Sequence, residues 1–366
     1  MNFLTEFFIN TLNIKTRLKV ALTYNIRPEE NFVSDNISIY NSSAEQKKFQ
    51  DTYAEWDTIE TITAVKNALE INHDVIMIEA NADAFEKFRN ADIDIVFNIA
   101  ENENGISREA QIPAILDMLK IPYTGSDPLT LATCLDKSRA KEILSYHGIK
   151  TSKFLLVQKI EDLENLNIEF PLFIKPVAEG SSKGIFNSSY VSNFNELLIE
   201  AQKYLTEYEQ PCLVEEYLPG KEFTVAIIGN GKDANVLPII ELNFDGLPNN
   251  MHPVYSFEAK WILDTKENPM DIYTCPAKID DELKAKINEI ALKSYNILRC
   301  KDWSRLDVRL DKNGEPNIIE INPLPGILPD PNDNSCFPKA ARVAGIQYDE
   351  LINRVLYYGA KRYNLL

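Results

Sequence analysis

Histidine is scarce in this 366-residue chain: His73, His147 and His252 are the only three, too scattered to suggest a shared metal centre. No serine sits in a G-x-S-x-G elbow, so hydrolase triads and zinc catalysis rank low. The five cysteines (Cys134, Cys212, Cys275, Cys300, Cys336) are odd in number, widely spaced and free of any C-x-x-C pair. That pattern indicates neither a disulfide framework nor a zinc site, and a reducing cytoplasm is expected. No stretch reaches the roughly 18 apolar residues of a membrane span. Residues 1–10 contain Glu6 and lack the basic start and small-residue cleavage site of a secretion signal. Basic charge is also short, with 38 Lys and Arg against 55 Asp and Glu, a net of −17. This repels a polyanionic backbone or an anionic membrane, so neither nucleic acid nor a membrane is an expected partner.

What remains is a soluble composition, 45% hydrophobic and 25% charged, long enough for two or three domains. Half of the acidic excess lies early: residues 1–110 hold 19 acidic and 10 basic side chains. Leu18–Thr23 reads as a buried strand, followed by a long polar stretch from Asn25 to Tyr53. Thr58 then caps an expected helix with Ile59, Ile62, Val65 and Leu69 on one face. A strand at Asp74–Glu79, a helix at Ala82–Arg89 and a strand at Ile93–Phe97 follow. This order predicts an open α/β domain. Next come a helix at Asp136–Tyr146 stopped by Gly148, and a helix at Glu196–Tyr208. Short strands are expected at 153–157, 171–175, 212–216, 223–228 and 235–241, an α+β pattern. A helix over Asp280–Leu298, a hairpin turning at Asp311–Gly314, a proline-rich loop and a helix over Tyr348–Tyr358 complete the chain.

Three segments carry candidate chemistry. In the hairpin, Arg305, Asp307 and Arg309 alternate with apolar residues, and so do Glu320 and Asn322 on the return strand. Two carboxylates and an amide oxygen suit magnesium, although the same pattern also describes a solvated surface hairpin. Arg305 is placed to face developing negative charge. The second segment is Lys175 followed by Glu179-Gly-Ser-Ser-Lys-Gly184, a loop able to offer backbone N–H groups to phosphate or simply a glycine hairpin. It lacks Walker A spacing. The third holds Glu215, Glu216 and Glu222, carboxylates suited to a ribose or an exocyclic amine, or else an exposed acidic turn.

Taken in order, the strings LDKSRAK, FIKPVAEGSSKG, LVEEYLPGKEFTV, FEAKW, SRLDVRLDKNGEPNIIEINPLPG and FPKAARVAGI resemble the ATP-grasp superfamily, and within it the D-alanine-D-alanine ligase family. The resemblance implies three domains of α/β and α+β class. These are an N-terminal open α/β (pre-ATP-grasp) domain at 1–134, a central ATP-grasp domain at 135–220 and a C-terminal one at 221–366. It implies ATP between two sheets, with Lys137 and Lys175 on the phosphates and Ser182, Lys183 and Lys260 in the same nucleotide site. Glu215, Glu216 and Leu218 would line the adenine pocket and Glu222 would hold the ribose. Asp307, Glu320 and Asn322 would bind two magnesium ions, with manganese as a substitute. Ser181, Arg305 and the N–H of Gly326 would form the catalytic set, the last two stabilising the oxyanion. The reaction so implied joins a small-molecule carboxylate to an amine through an acyl phosphate, releasing ADP and phosphate, in a cytoplasmic homodimer.

The departures lie where the family binds its amino acids. The loop from Ala100 to Gln111 differs from the family's His-Gly and Glu-Asp-Gly pattern, bringing in Glu101 and Glu109. Trp261 follows Lys260 where an aromatic hydroxyl is usual. The loop Ile327–Ser335 is four residues longer than the family's, with Ser335 in the place of a carboxylate-binding serine. Glu30, Glu55 and Asp57 compete for the role of the usual amine contact. Altered substrates are therefore expected. The alternatives are an authentic D-alanine-D-alanine ligase, a nucleotide-binding regulatory protein without turnover, and a simple kinase.

Overall fold

The computed structural model describes residues 17–28, 53, 55–263, 270 and 272–366. Glu30 and most of the polar stretch lie outside these residues, as does the side chain of Trp261.

Strand β1 (Lys19–Tyr24) buries Val20, Ala21 and Leu22 in succession, as a central parallel strand covered on both faces must. Thr58 caps helix α1 (Ile59–Glu70) by accepting the N–H of Thr61, and Ile62, Val65, Ala68 and Leu69 form its buried stripe. With β2 (Asp74–Glu79), α2 (Ala84–Asn90) and β3 (Ile95–Asn98) this gives a parallel sheet of order β2-β1-β3, the expected open α/β unit. Helices α3 (Gln111–Leu119) and α4 (Pro128–Leu135), for which no periodicity was assigned, lead into α5 (Lys137–Tyr146). Asp136 caps α5, and Gly148 at φ +73° follows its end.

Strands β4 (Phe154–Val157), β5 (Leu172–Pro176) and β6 (Tyr190–Val191), helix α6 (Phe194–Glu207) and strand β7 (Cys212–Glu216) build an antiparallel sheet of order β4-β7-β5-β6. Its own core includes Val157, Ile174, Leu197, Tyr204 and Val214. The larger sheet contains β8 (Glu222–Ile228), β9 (Asn235–Val236), β10 (Ile240–Leu242) and β11 (Tyr273–Thr274). After helix α7 (Asp281–Ile297) it is completed by β12 (Trp303–Leu310) and β13 (Pro316–Asn322). The order is β11-β10-β8-β12-β13, with β9 pairing β8. The strand expected at 235–241 is two strands, interrupted around Pro238, which has no N–H to give to a ladder. Beyond the hairpin, helix α8 (Cys336–Val343) and the closing helix α9 (Tyr348–Arg362) follow the proline-rich loop.

Three contacts bind these layers into one scaffold. Leu351, Ile352 and Val355 of α9 share a core with Val20, Ile62 and Val65, and the Asn353 amide donates to the Ala68 carbonyl at 2.8 Å. The chain's last helix thus covers the first sheet's helical face. Behind the large sheet, Ala140 and Leu144 of α5 pack with Ile287, Ala291 and Tyr295 of α7 against Leu306 and Val308. At the joint between the antiparallel sheets, Gly220 donates to the Leu310 carbonyl at 3.0 Å. A Cβ there would stand 2.6 Å from that oxygen, so the approach requires glycine.

Candidate active site

Both antiparallel sheets send side chains into one cavity of about 960 Å³. Alternation along the strands decides which ones: Phe173 and Lys175 from β5, Glu222 and Thr224 from β8, Arg305, Asp307 and Arg309 from β12, Glu320 and Asn322 from β13.

One wall is an ionic lattice. Glu215 accepts from Lys141 at 2.6 Å, Lys175 at 2.7 Å and the Ser152 hydroxyl at 2.9 Å, with both lysines and the carboxylate buried. Burial alone would raise the Glu215 carboxyl, but Lys141 and Lys175 outweigh it and hold it at about 2. Glu215, expected beside adenine, therefore serves as counter-charge to the lysine expected on phosphate. Lys141 was missed by sequence reasoning, although it lies four residues after Lys137, one helical turn away. Glu216 and Leu218 also line the cavity, and Glu222 is fixed by Arg309, whose guanidinium donates to it at 2.7 Å. Arg309 also reaches the Tyr217 hydroxyl at 3.0 Å and the Pro253 carbonyl at 2.9 Å.

The β12–β13 register sets Asp307 directly opposite Glu320 and Arg305 opposite Asn322, bringing the expected metal set together. Arg305 donates to Asp307 at 3.0 Å and to Glu320 at 3.3 Å, and Lys137 stands 3.5 Å from the other Glu320 oxygen. Burial pushes the Asp307 carboxyl up to about 7. Burial acts the same way on Glu320, but Lys137, Arg305 and Lys175 together bring it down to about 2. The Asn322 side-chain oxygen accepts the Leu324 N–H at 2.8 Å and keeps a second lone pair. Among the described residues no three His, Cys, Asp or Glu side chains form a metal cluster. The two carboxylates with the amide oxygen nevertheless fit a hard divalent cation that also binds phosphate.

Lys260 enters the same cavity from a π-helical turn, Ala259–Leu263. Burial, reinforced by Arg305, lowers its ammonium to about 8. It is charged below that pH and neutral above it, so if it meets the triphosphate, kcat/KM for ATP falls above about pH 8 in the free enzyme. Lys260→Arg should move that limb upward, and an unchanged profile would remove Lys260 from the nucleotide site.

The glycine-serine loop is strained: Ser181 and Ser182 hold φ of +49° and +60° in succession. Left-handed non-glycine residues cost roughly 1–3 kcal/mol each and persist where surroundings over-determine them. Here Ser182 donates to the Tyr255 carbonyl at 2.9 Å and Lys183 pairs with Glu179 at 3.1 Å. The Gly180 N–H donates to Glu55 at 2.6 Å. Lys137 also donates to the Glu179 carbonyl.

Glu55, Asp57, Glu101 and Glu109 also line the cavity. Arg108, a residue sequence reasoning did not single out, grips Glu55 through its terminal nitrogen at 2.6 and 2.7 Å and reaches Glu179 at 3.2 Å. Ser335 is buried and its hydroxyl is already used, donating to the Gly326 carbonyl at 3.2 Å and accepting the Leu328 N–H at 3.1 Å. It staples the long loop and has no further proton to give a substrate carboxylate.

Residues 142–357 match the family model described as D-ala D-ala ligase C-terminus. A D-alanine-D-alanine ligase from Actinobacillus pleuropneumoniae serotype 5b is 32% identical over 302 residues, 81% of this chain and 91% of that one. An uncharacterised protein of Sinorhizobium fredii is 34% identical over 269 residues, 74% of this chain and 75% of its own. The solved D-alanine-D-alanine ligase from Bacillus anthracis complexed with ATP superposes with a TM-score of 0.66 at 24% identity, covering 95% of this chain and 99% of that one. A D-Ala:D-Ser ligase from Enterococcus faecalis gives 0.67 at 22% identity, covering 94% and 100%. The chain belongs to the D-alanine-D-alanine ligase family of ATP-grasp proteins. It is an ATP-dependent ligase that forms C–N bonds. No helix among the described residues is long and apolar enough to cross a membrane.

Proposed function

We propose that this ligase joins a carboxylate to an amine through an acyl phosphate, and that at least one of its substrates is not D-alanine. One observation carries the second clause. Glu55, one of the candidates for the usual amine contact, is saturated by Arg108 and the Gly180 N–H.

In this reading Lys137, Lys175 and Lys260 hold the ATP phosphates, with Ser182 and Lys183 in the covering loop. Glu216 and Leu218 border the base and Glu222 the ribose, with Arg309 orienting Glu222. Asp307, Glu320 and Asn322 would hold magnesium, two ions by family resemblance, which neutralises phosphate charge when bound. The substrate carboxylate attacks the γ-phosphorus, ADP departs, and the amine then attacks the acyl carbon and expels phosphate. Arg305 and the Gly326 N–H face the oxyanion formed in that second step. Arg305 already spans Asp307 and Glu320, so it stands where both steps meet.

The test is incubation with ATP, magnesium and a panel of D- and L-amino acids, scoring ADP and amide together. One ADP per amide is expected, with the best pair other than two D-alanines. Dipeptide from D-alanine alone at a comparable rate would restore the authentic cell-wall ligase, and AMP release would reject the mechanism.

A further inference from the structure

Resting on the ligase reading above, we propose that one substrate is a basic amino acid whose side-chain cation is held between Glu101 and Glu109. The segments carrying the four acids are tied together. The Trp56 indole donates to the Asn102 carbonyl at 3.1 Å, and the Asn102 amide donates to the Arg108 carbonyl at 3.0 Å. Within this cluster the guanidinium of Arg108 is committed to Glu55, Glu179 and the Ala178 carbonyl. Lys137, the next nearest cation, is engaged by Glu320 and the Glu179 carbonyl.

That leaves Glu109 with no cation in ion-pair contact: Arg108 and Lys137 lower its carboxyl only from a distance, and burial with Glu55 outweighs them. It is 7% exposed, it lines the cavity, and its carboxylate makes no hydrogen bond or ion pair to any described residue. The same lack of a described partner holds for Glu101. Burial first, and Glu55 next, push Glu109 up to about 7, and Glu101 moves the same way with Glu109 adding to the effect. Asp57 is a third such group, raised by burial to about 7. A buried carboxylate without a counter-ion is costly, and breaking or omitting its partner costs more than exchanging both for apolar groups. One α-ammonium can balance one of the three. A neutral side chain would leave Glu101 and Glu109 facing it without a donor, whereas an ammonium or guanidinium donates to both and offsets one of their charges.

The experiment compares lysine, ornithine and arginine with norleucine, as both enantiomers. Binding is read by calorimetry without nucleotide, and turnover as ADP release with ATP and magnesium. Basic substrates should exceed norleucine in kcat/KM by at least about tenfold, a floor well below the roughly 10⁴-fold by which a site can reject an analogue that leaves its buried polar groups unpaired. Ammonium and guanidinium arms identify which cation fits. In the Glu101→Gln/Glu109→Gln variant the ratio should fall toward one through KM. Its unliganded melting temperature should rise, because mutual repulsion is relieved. Norleucine used as well as lysine overturns the proposal and leaves the ligase standing. Lysine binding without ADP from any substrate overturns the ligase reading instead, and absence of both lysine binding and any preference overturns the basic site.

Discussion

Glu320→Ala is expected to lower turnover by at least about 10³-fold while the protein stays folded, a loss at the upper end of that seen when one electrostatic element of an active site is removed. Glu320 is the shared member of the corner, facing Asp307 across the strand pair and contacting both Arg305 and Lys137. Those cations, with Lys175, hold its carboxyl at about 2 against the effect of burial, so it is fully ionised at neutral pH. In the proposed site its removal would strip the divalent cation of one of two carboxylates, and it would free Arg305 and Lys137, which it contacts. The side chain lies 23% exposed on the cavity wall, so no core packing is lost. ADP release and far-UV circular dichroism measured together check this. A fully active Glu320→Ala protein would mean the metal is held elsewhere.

Glu215→Ala should act on stability instead, by about 3–5 kcal/mol, the range for removing one partner of a buried ion pair. It would leave Lys141 and Lys175 buried without their counter-charge. The pH dependence has a definite sign. The folded carboxyl is held at about 2, below its unfolded value, so its contribution is fully present above the unfolded pKa and disappears as pH falls from about 4 to 2. Asp57 and Glu109, raised to about 7, work the other way. The folded state binds their protons more tightly, so between about pH 4 and 7 their contribution falls as pH rises. Denaturant titrations across this range should show a steep acid limb in the native protein and a shallower one in Glu215→Gln. Equal acid limbs would show that the two lysines are balanced by another group.

The legible parts of the fold were those where one side chain decides. Thr58 announced its helix as a cap and Gly148 announced the end of another, and the Arg305–Leu310 and Ile319–Asn322 alternation gave both the hairpin and the face that meets the cavity. Helices α3 and α4 were not assigned because their apolar residues are divided between partners that sequence order does not reveal. Ile112 and Leu116 pack under the first sheet, while Leu131 joins the core shared with α9. In the site, the juxtaposition of Asp307, Glu320 and Asn322 was legible because they lie on two adjacent strands. Arg108 and Lys141 were not, since each acquires meaning only through a partner 53 or 74 residues away. Ser335, expected in the place of a carboxylate-binding serine, lines the cavity, yet its hydroxyl is taken up by the loop it closes. Alignment to a motif fixes a position and cannot show a hydrogen bond already spent.

The central claim is that the substrate's carboxylate takes the γ-phosphoryl group from ATP before the amine arrives. Amino acids active in the panel, exchanged with ¹⁸O at the carboxylate and turned over with ATP and magnesium, test it directly by mass spectrometry of the released phosphate. Acyl phosphate chemistry delivers one carboxylate oxygen to each phosphate formed, with ADP as the nucleotide product. Amide formed with unlabelled phosphate, or label appearing in AMP, would contradict it.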